Sequence, residues 1–264
     1  MAWLLRLAVT IALINYIVGI VAVKSGCKLK PPKPTPTRSQ NLPPQVQDYF
    51  RETIPEVKAL GFQSLGFLTW VDEANNGTQT FYMSICYQPK EKTLLVDYVA
   101  FNENTNGLTQ TNVRDLATFF ADGHEALTST SSENLYPLTW TRTYKTDLRF
   151  PEEKNLQQLF EKQRKLAAWV ETQRQTEKVA PVTKNNDTSP IQQVAESLYN
   201  FSLGEYQHFC RLGQFYRESG QEVFRFTWKG AIICTVRLLP PGKQIVNILR
   251  KRHYESFWRK ISRT

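Results

Sequence analysis

The hydrophobic and polar positions of this chain change rhythm along its length, and each rhythm predicts a different element. From Ala2 to Val23 there is no periodicity: 22 residues carry one charge, Arg6, and one amide, Asn15. At about 1.5 Å per helical residue such a run covers the ~30 Å of bilayer hydrocarbon, which predicts an N-terminal transmembrane helix over residues 1–23. A cleaved signal peptide would place its positive charges before a shorter apolar core, whereas here they follow the run.

Residues 24–44 form a different stretch. Six prolines fall in the 18 residues from Cys27 to Pro44, which predicts an extended, unpaired, basic linker. Val46, Tyr49, Phe50, Ile54 and Val57 then recur at helical spacing, with Gly61 as the stop and Pro55 as a kink or restart.

From residue 62 the rhythm becomes that of strands. Runs at 62–71, 78–88, 93–103 and 108–120, and a last one from His124, are separated by Asn-Gly, Pro-Lys-Glu-Lys and Asp-Gly turn signals. Short connections predict consecutive antiparallel strands, a five-strand meander. Phe81, Met83, Ile85 and Tyr87 alternate with Tyr82 and Cys86, so both faces are apolar and both require helical cover.

A helix over 151–178 is predicted next, opened by Pro151 and carrying one stripe of Leu156, Leu159, Phe160, Gln163, Leu166, Ala167 and Val170. Residues 191–212 read as one or two helices, and 213–230 as a hairpin about Ser219 and Gly220. The fold class is therefore α+β: an anchor at 1–23, a linker at 24–44, a meander domain flanked by helices at 45–178, a smaller helix-plus-hairpin unit at 191–239, and a basic amphipathic tail at 240–264. Helices followed by a hairpin share the outline of a winged-helix module. Glu196, Glu205, Glu218 and Glu222 lie where such a module needs positive charge.

Charge alters this picture through its distribution more than its sum. The net charge is +9, yet residues 1–40 carry +6, residues 237–264 carry +7, and the body between them −4. Positive ends on a mildly acidic body suit an anionic membrane surface better than a nucleic-acid groove, since each base near such lipid contributes ~1 kcal/mol. Lys24, Lys28, Lys30, Lys33 and Arg38 crowd the far end of the apolar run, so the positive-inside bias places the body in the cytoplasm. Four scattered cysteines fit neither a disulfide framework nor a metal knuckle.

Candidate chemistry is sparse. No Walker loop, HExxH, GxSxG, CxxC or GxGxxG is present, and nothing calls for a cofactor or metal. The one acid/base candidate is Asp122 with His124 beside Glu125, in a sequence that also reads as an ordinary solvated Asp-Gly turn. His208 and Cys210, two apart on a helix, point about 200° away from each other and cannot form a nucleophile–base pair.

Membrane contact is the other candidate. From Trp228 to Leu239 only Lys229, Thr235 and Arg237 are polar, and 12 helical residues reach just ~18 Å, so the run is either core or interfacial. Trp228, Lys229, Arg250, Lys251, Arg252, Trp258, Arg259 and Lys260 are the residues expected to touch lipid. The functional expectation is a single-pass protein whose cytoplasmic body binds or scaffolds an unidentified protein partner at an anionic membrane. The alternatives are an enzyme or carrier for an amphiphile held between sheet and helix 151–178, and a tethered winged-helix regulator.

Overall fold

The computed structural model describes the backbone of residues 2–74, 77–104, 107–131, 145–181 and 188–263; within these, the side chains at 2, 4–9, 73–74, 77–78, 101–104 and 107–110 are not described. The elements run α1 (Ala2–Gly26), β1 (Lys28–Leu29), β2 (Thr35–Thr37), α2 (Pro44–Ala59), β3 (Gln63–Ala74), β4 (Gly77–Gln88), β5 (Thr93–Asn104), β6 (Gly107–Phe120), β7 (Glu125–Ser129), β8 (Lys145–Arg149), α3 (Leu156–Arg174), β9 (Lys178–Val179), α4 (Pro190–Arg211), β10 (Phe215–Arg217), β11 (Phe224–Phe226), α5 (Trp228–Leu238) and α6 (Gly242–Ile261). The chain is mixed α+β with a large mixed sheet. It divides into two compact units: a sheet unit of Pro32–Asn134, Thr139–Asn200 and Tyr254–Thr264, and a helical unit built on Met1–Pro31 and Phe201–His253.

In the sheet unit the strand order is β2-β3-β4-β5-β6-β7-β8, with β9 paired to the end of β6. Strands β3 to β7 are successive antiparallel neighbours. β8 departs from the meander and runs parallel to β7, with Glu125 opposite Lys145 and Ser129 opposite Arg149. A parallel return needs a crossover of about a dozen residues or more, and the stretch 130–144 is long enough to supply it.

The proline-rich stretch is more ordered than its composition suggests. Thr35–Thr37 pairs with Phe67–Thr69 at the sheet edge, and Lys28–Leu29 pairs with Phe224–Arg225 in the helical unit. An extended proline backbone already has strand-like dihedrals, and an edge strand can spare the N–H that Pro36 lacks. α2 runs through Pro55 without a restart and ends before Gly61, whose φ of +78° suits a residue without Cβ. α3 begins at Leu156 and not at Pro151, because the Asn155 side chain accepts from the Gln158 N–H at 3.1 Å and caps the helix there.

α2 and α3 cover one face of the sheet. The predicted stripe on α3 is buried throughout, with Leu156, Leu159 and Phe160 against Cys86, Leu95 and Leu116, and Leu166, Ala167 and Val170 against Phe120, Ala126 and Leu148. Gln163 is fully buried, and its amide NH2 donates to Thr118 Oγ1 and to the Ala126 carbonyl, each at 2.9 Å. The first turns of α4 cover the opposite face, with Ile191, Val194, Ala195 and Leu198 on Leu68, Met83, Ile85, Leu94 and Val96. Gly66, at φ +137° in a bulge of β3, admits this helix: a Cβ there would meet Ile191 at 3.3 Å.

The helical unit has its own aromatic core. Tyr206 and Phe209 from α4 meet Phe215, Phe224 and Phe226 from β10 and β11, and Ala231 and Cys234 from α5 close the cluster. β10 and β11 form the predicted hairpin, and β1 adds a third strand beside β11.

Candidate functional site: an outward apolar surface on the helical unit

Among the described residues, the helical unit carries its large hydrophobics on the outside. α1 turns Trp3, Ile11, Leu13, Ile14, Ile17, Val18 and Val21 outward. α5 does the same with Trp228, Ile232, Val236 and Leu238, and α6 with Ile245, Ile248 and Leu249. In the sheet unit Val71 is the one comparable side chain among the described residues. Scattered exposed hydrophobics are ordinary, but here three helices of one unit share such faces, which makes their surface the candidate site.

α5 shows how the sequence builds this surface. Gly230, Ala231, Cys234 and Thr235 are buried while Ile232, Val236 and Leu238 are exposed, so both faces of an 11-residue helix are largely apolar. Thr227 caps it, accepting from the Gly230 N–H at 3.1 Å. The run is thus both core and surface, where the sequence offered one or the other.

Cations border this surface. The Lys24 ammonium lies 5.0 Å from the Tyr216 ring centroid and 6.0 Å from that of Trp228, and Lys229 donates to the Leu212 carbonyl at 2.8 Å. Arg250 is half-buried, and Lys251 and Arg252 are exposed. All of these belong to the helical unit. The remaining expected lipid contacts belong to the sheet unit. Trp258 packs edge-on against Phe150 at 5.4 Å, Arg259 pairs with Glu255 at 3.8 Å, and Lys260 lies 5.8 Å from the Trp169 ring, all in the sheet unit. Among the described residues no helix is long and apolar enough to cross a membrane. The side chains of the first turns of the expected anchor, at 2 and 4–9, lie outside the described residues.

The acid/base candidate takes a structural form. Asp122 accepts from Arg174 Nε at 2.6 Å and from the His124 N–H at 3.1 Å. Burial pushes Asp122 up, but these hydrogen bonds and the guanidinium charge outweigh it and hold the carboxyl below its ordinary range. His124 is buried, not solvated as the turn motif implies, with Nε2 at 2.8 Å from Thr146 Oγ1. The parallel β8 supplies that cover, and no local pattern announced it.

Two further groups of charges escaped sequence reasoning because they assemble only across the sheet. Beneath α2, Tyr49 donates to Asp97 Oδ1 at 2.8 Å, while Arg114 lies 3.7 Å from Asp97 and 3.1 Å from Glu56. Glu56 also accepts from the Leu156 N–H at 2.9 Å, so the cluster ties α2 to the start of α3. Burial drives the Asp97 carboxyl up, against the pull of Arg114 and Tyr49. On the opposite face Asp115 sits with Ser129, Arg149 and Lys145, and burial again raises it above the ordinary range. Lys145 pairs with Glu125 at 3.2 Å and Arg149 with Asp147 at 3.5 Å. The interface of α3 with the sheet, where a ligand pocket was an alternative, is filled by the core side chains described above. No family model and no curated protein matches the sequence, and no solved structure matches the fold.

Proposed function

We propose that this chain is a single-pass membrane-anchored protein whose α+β body works in the cytoplasm as a binding or scaffolding platform, held at an anionic lipid surface. The observation that carries the reading is that, among the described residues, all the large outward hydrophobics except Val71 lie in the unit that contains the apolar N-terminal run. At roughly 25 cal/mol per Å² of apolar area, that surface is costly in water and favourable in lipid. α1, at 25 residues, would extend ~37 Å, and its one basic residue in the last turn, Lys24, leads into the cationic stretch at Lys28, Lys30 and Lys33.

A platform role suits the sheet unit. Asp97, Arg114 and Glu56 tie α2, the strands and the start of α3 together, an arrangement that rigidifies a scaffold. Protease applied to sealed right-side-out vesicles should leave residues 40–264 intact, and opening the vesicles should expose them. Digestion while the membrane remains sealed would overturn the cytoplasmic placement.

A further inference from the structure

Between the end of α5 and the start of α6 lie only three residues, and three features of this turn bear on what surrounds it. Pro240 and Pro241 contribute no backbone N–H, which removes two donors from the turn. The Tyr16 hydroxyl, from the middle of α1, lies 3.1 Å from the Leu239 carbonyl and 3.0 Å from the Pro240 carbonyl, and it accepts from the Gly242 N–H at 3.3 Å. Leu239 and Lys243 are bonded within the turn as well, Leu239 N–H to the Thr235 carbonyl at 3.0 Å and Lys243 N–H to the Leu239 carbonyl at 2.9 Å. One side chain more than 220 residues away in sequence thus shares its single proton between the Leu239 and Pro240 carbonyls and accepts from Gly242, so that it stands where a water would stand for the Pro240 carbonyl and the Gly242 N–H.

The turn is also pressed close. A Cβ on Gly242 would lie 1.9 Å from the Val236 carbonyl oxygen, and one on Gly19 would lie 2.9 Å from Thr235 Cγ2 and 3.2 Å from Leu239 Cδ1. Small residues at helix contacts replace the hydrophobic driving force where the surroundings are themselves apolar. α5 runs antiparallel to α1: Lys24 is level with Trp228, Gly19 with Thr235, and Tyr16 with Leu239. The tip therefore sits eight α1 residues, ~12 Å, beyond the Lys24–Trp228 level.

From this we propose that α5, the Pro240–Pro241 turn and the start of α6 form a re-entrant wedge that enters the lipid from the cytoplasmic side and turns back, with Tyr16 standing in for water at its tip. The wedge rests on the membrane reading above and adds a second lipid contact to the anchor. Backbone that bends at membrane depth must find its hydrogen bonds within the protein, which is the service Tyr16 provides. Ile232, Val236, Leu238, Ile245 and Ile248 supply the apolar faces. Arg237 and Lys243 flank the tip, and their long stems carry the charges back toward the phosphates from a tip ~12 Å past the Lys24–Trp228 level.

The test uses the full chain in phosphatidylcholine–phosphatidylglycerol vesicles, with the photoreactive residue p-benzoylphenylalanine in place of Leu13, Leu238 or Gln221 in turn. Lipid adducts of comparable yield at positions 13 and 238, well above that at 221, are expected. An adduct at 13 with none above the 221 level at 238 would overturn the wedge and leave the anchor standing; no adduct at either would overturn both. Tyr16→Phe should lower the yield at 238 by about threefold or more while sparing position 13. An unchanged yield at 238 would remove Tyr16 from the account.

Discussion

The two units solve opposite problems with much the same residue types. In the sheet unit the large hydrophobics are inside, at Leu68, Ile85, Leu95, Leu116 and Leu159, and charge is brought in only where a partner waits, as with Asp97 beside Tyr49 and Arg114. In the helical unit a small aromatic core is surrounded by helices whose second faces are also apolar, and a turn is capped by a phenol. On the membrane reading proposed above, the difference is in the solvent each unit is built for: one removes apolar surface from water, whereas the other keeps it outside and removes backbone polarity instead.

The largest expected effect breaks the comparison at its core. Leu159→Ala, buried between α3 and the sheet, should destabilise the sheet unit by about 2–5 kcal/mol in denaturant titration. In detergent, Ile232→Ala on the outward face of α5 should change stability by no more than about 0.5 kcal/mol. Equal losses would mean that the outward surface is a protein core after all.

Next in size is the capped turn. Tyr16→Phe leaves the Leu239 and Pro240 carbonyls and the Gly242 N–H without the hydroxyl, at a cost of about 1–3 kcal/mol. Hydrogen exchange should accelerate in β10, β11 and α5 and stay unchanged in β4 to β6. Acceleration in both units would show that they do not unfold separately.

The buried carboxylates give the sheet unit a pH dependence. Asp97 and Asp115 are raised in the folded chain, so the native state binds more protons than the unfolded one, and stability falls as pH rises from about 4 through their folded values. Asp115→Asn should remove part of that slope and leave the protein at neutral pH as stable as before, or more stable by about 1 kcal/mol. A steeper slope in the variant would reverse the assignment.

Smallest is the exposed pair. Asp122 is held low by Arg174, so its contribution is present above about pH 4 and is lost as pH falls through its folded value. Exposure and salt screening keep it small, and Asp122→Asn should cost about 0.5 kcal/mol or less. His124→Ala, by contrast, empties a buried site and should cost more than Asp122→Asn does.

What was legible in the sequence was what repeats locally. The α3 stripe is buried residue for residue, and the meander follows from alternation and short turns, because periodicity and turn chemistry act between near neighbours. Contacts set by long crossovers were not legible. β8 arrives parallel after a long connection and buries His124, and Thr35–Thr37 becomes an edge strand only because β3 offers a partner. The surface was half legible: Trp228 and Lys229, singled out from the sequence as lipid contacts, are exposed on α5. Ile245, Ile248 and Leu249 were hidden by the bases near them, and Trp258 is engaged with Phe150. Tyr16 carries no signal within the apolar run, because its three partners lie more than 220 residues away.

The contrast between the units reduces to whether the full chain stays in the bilayer when peripheral contacts are stripped. Membranes carrying it can be washed in alkaline carbonate and floated through a density gradient. Recovery of the protein with the floating lipid, with β4 to β6 still protected from exchange, is the predicted result. Release of the intact chain into the soluble fraction as a folded monomer would contradict it.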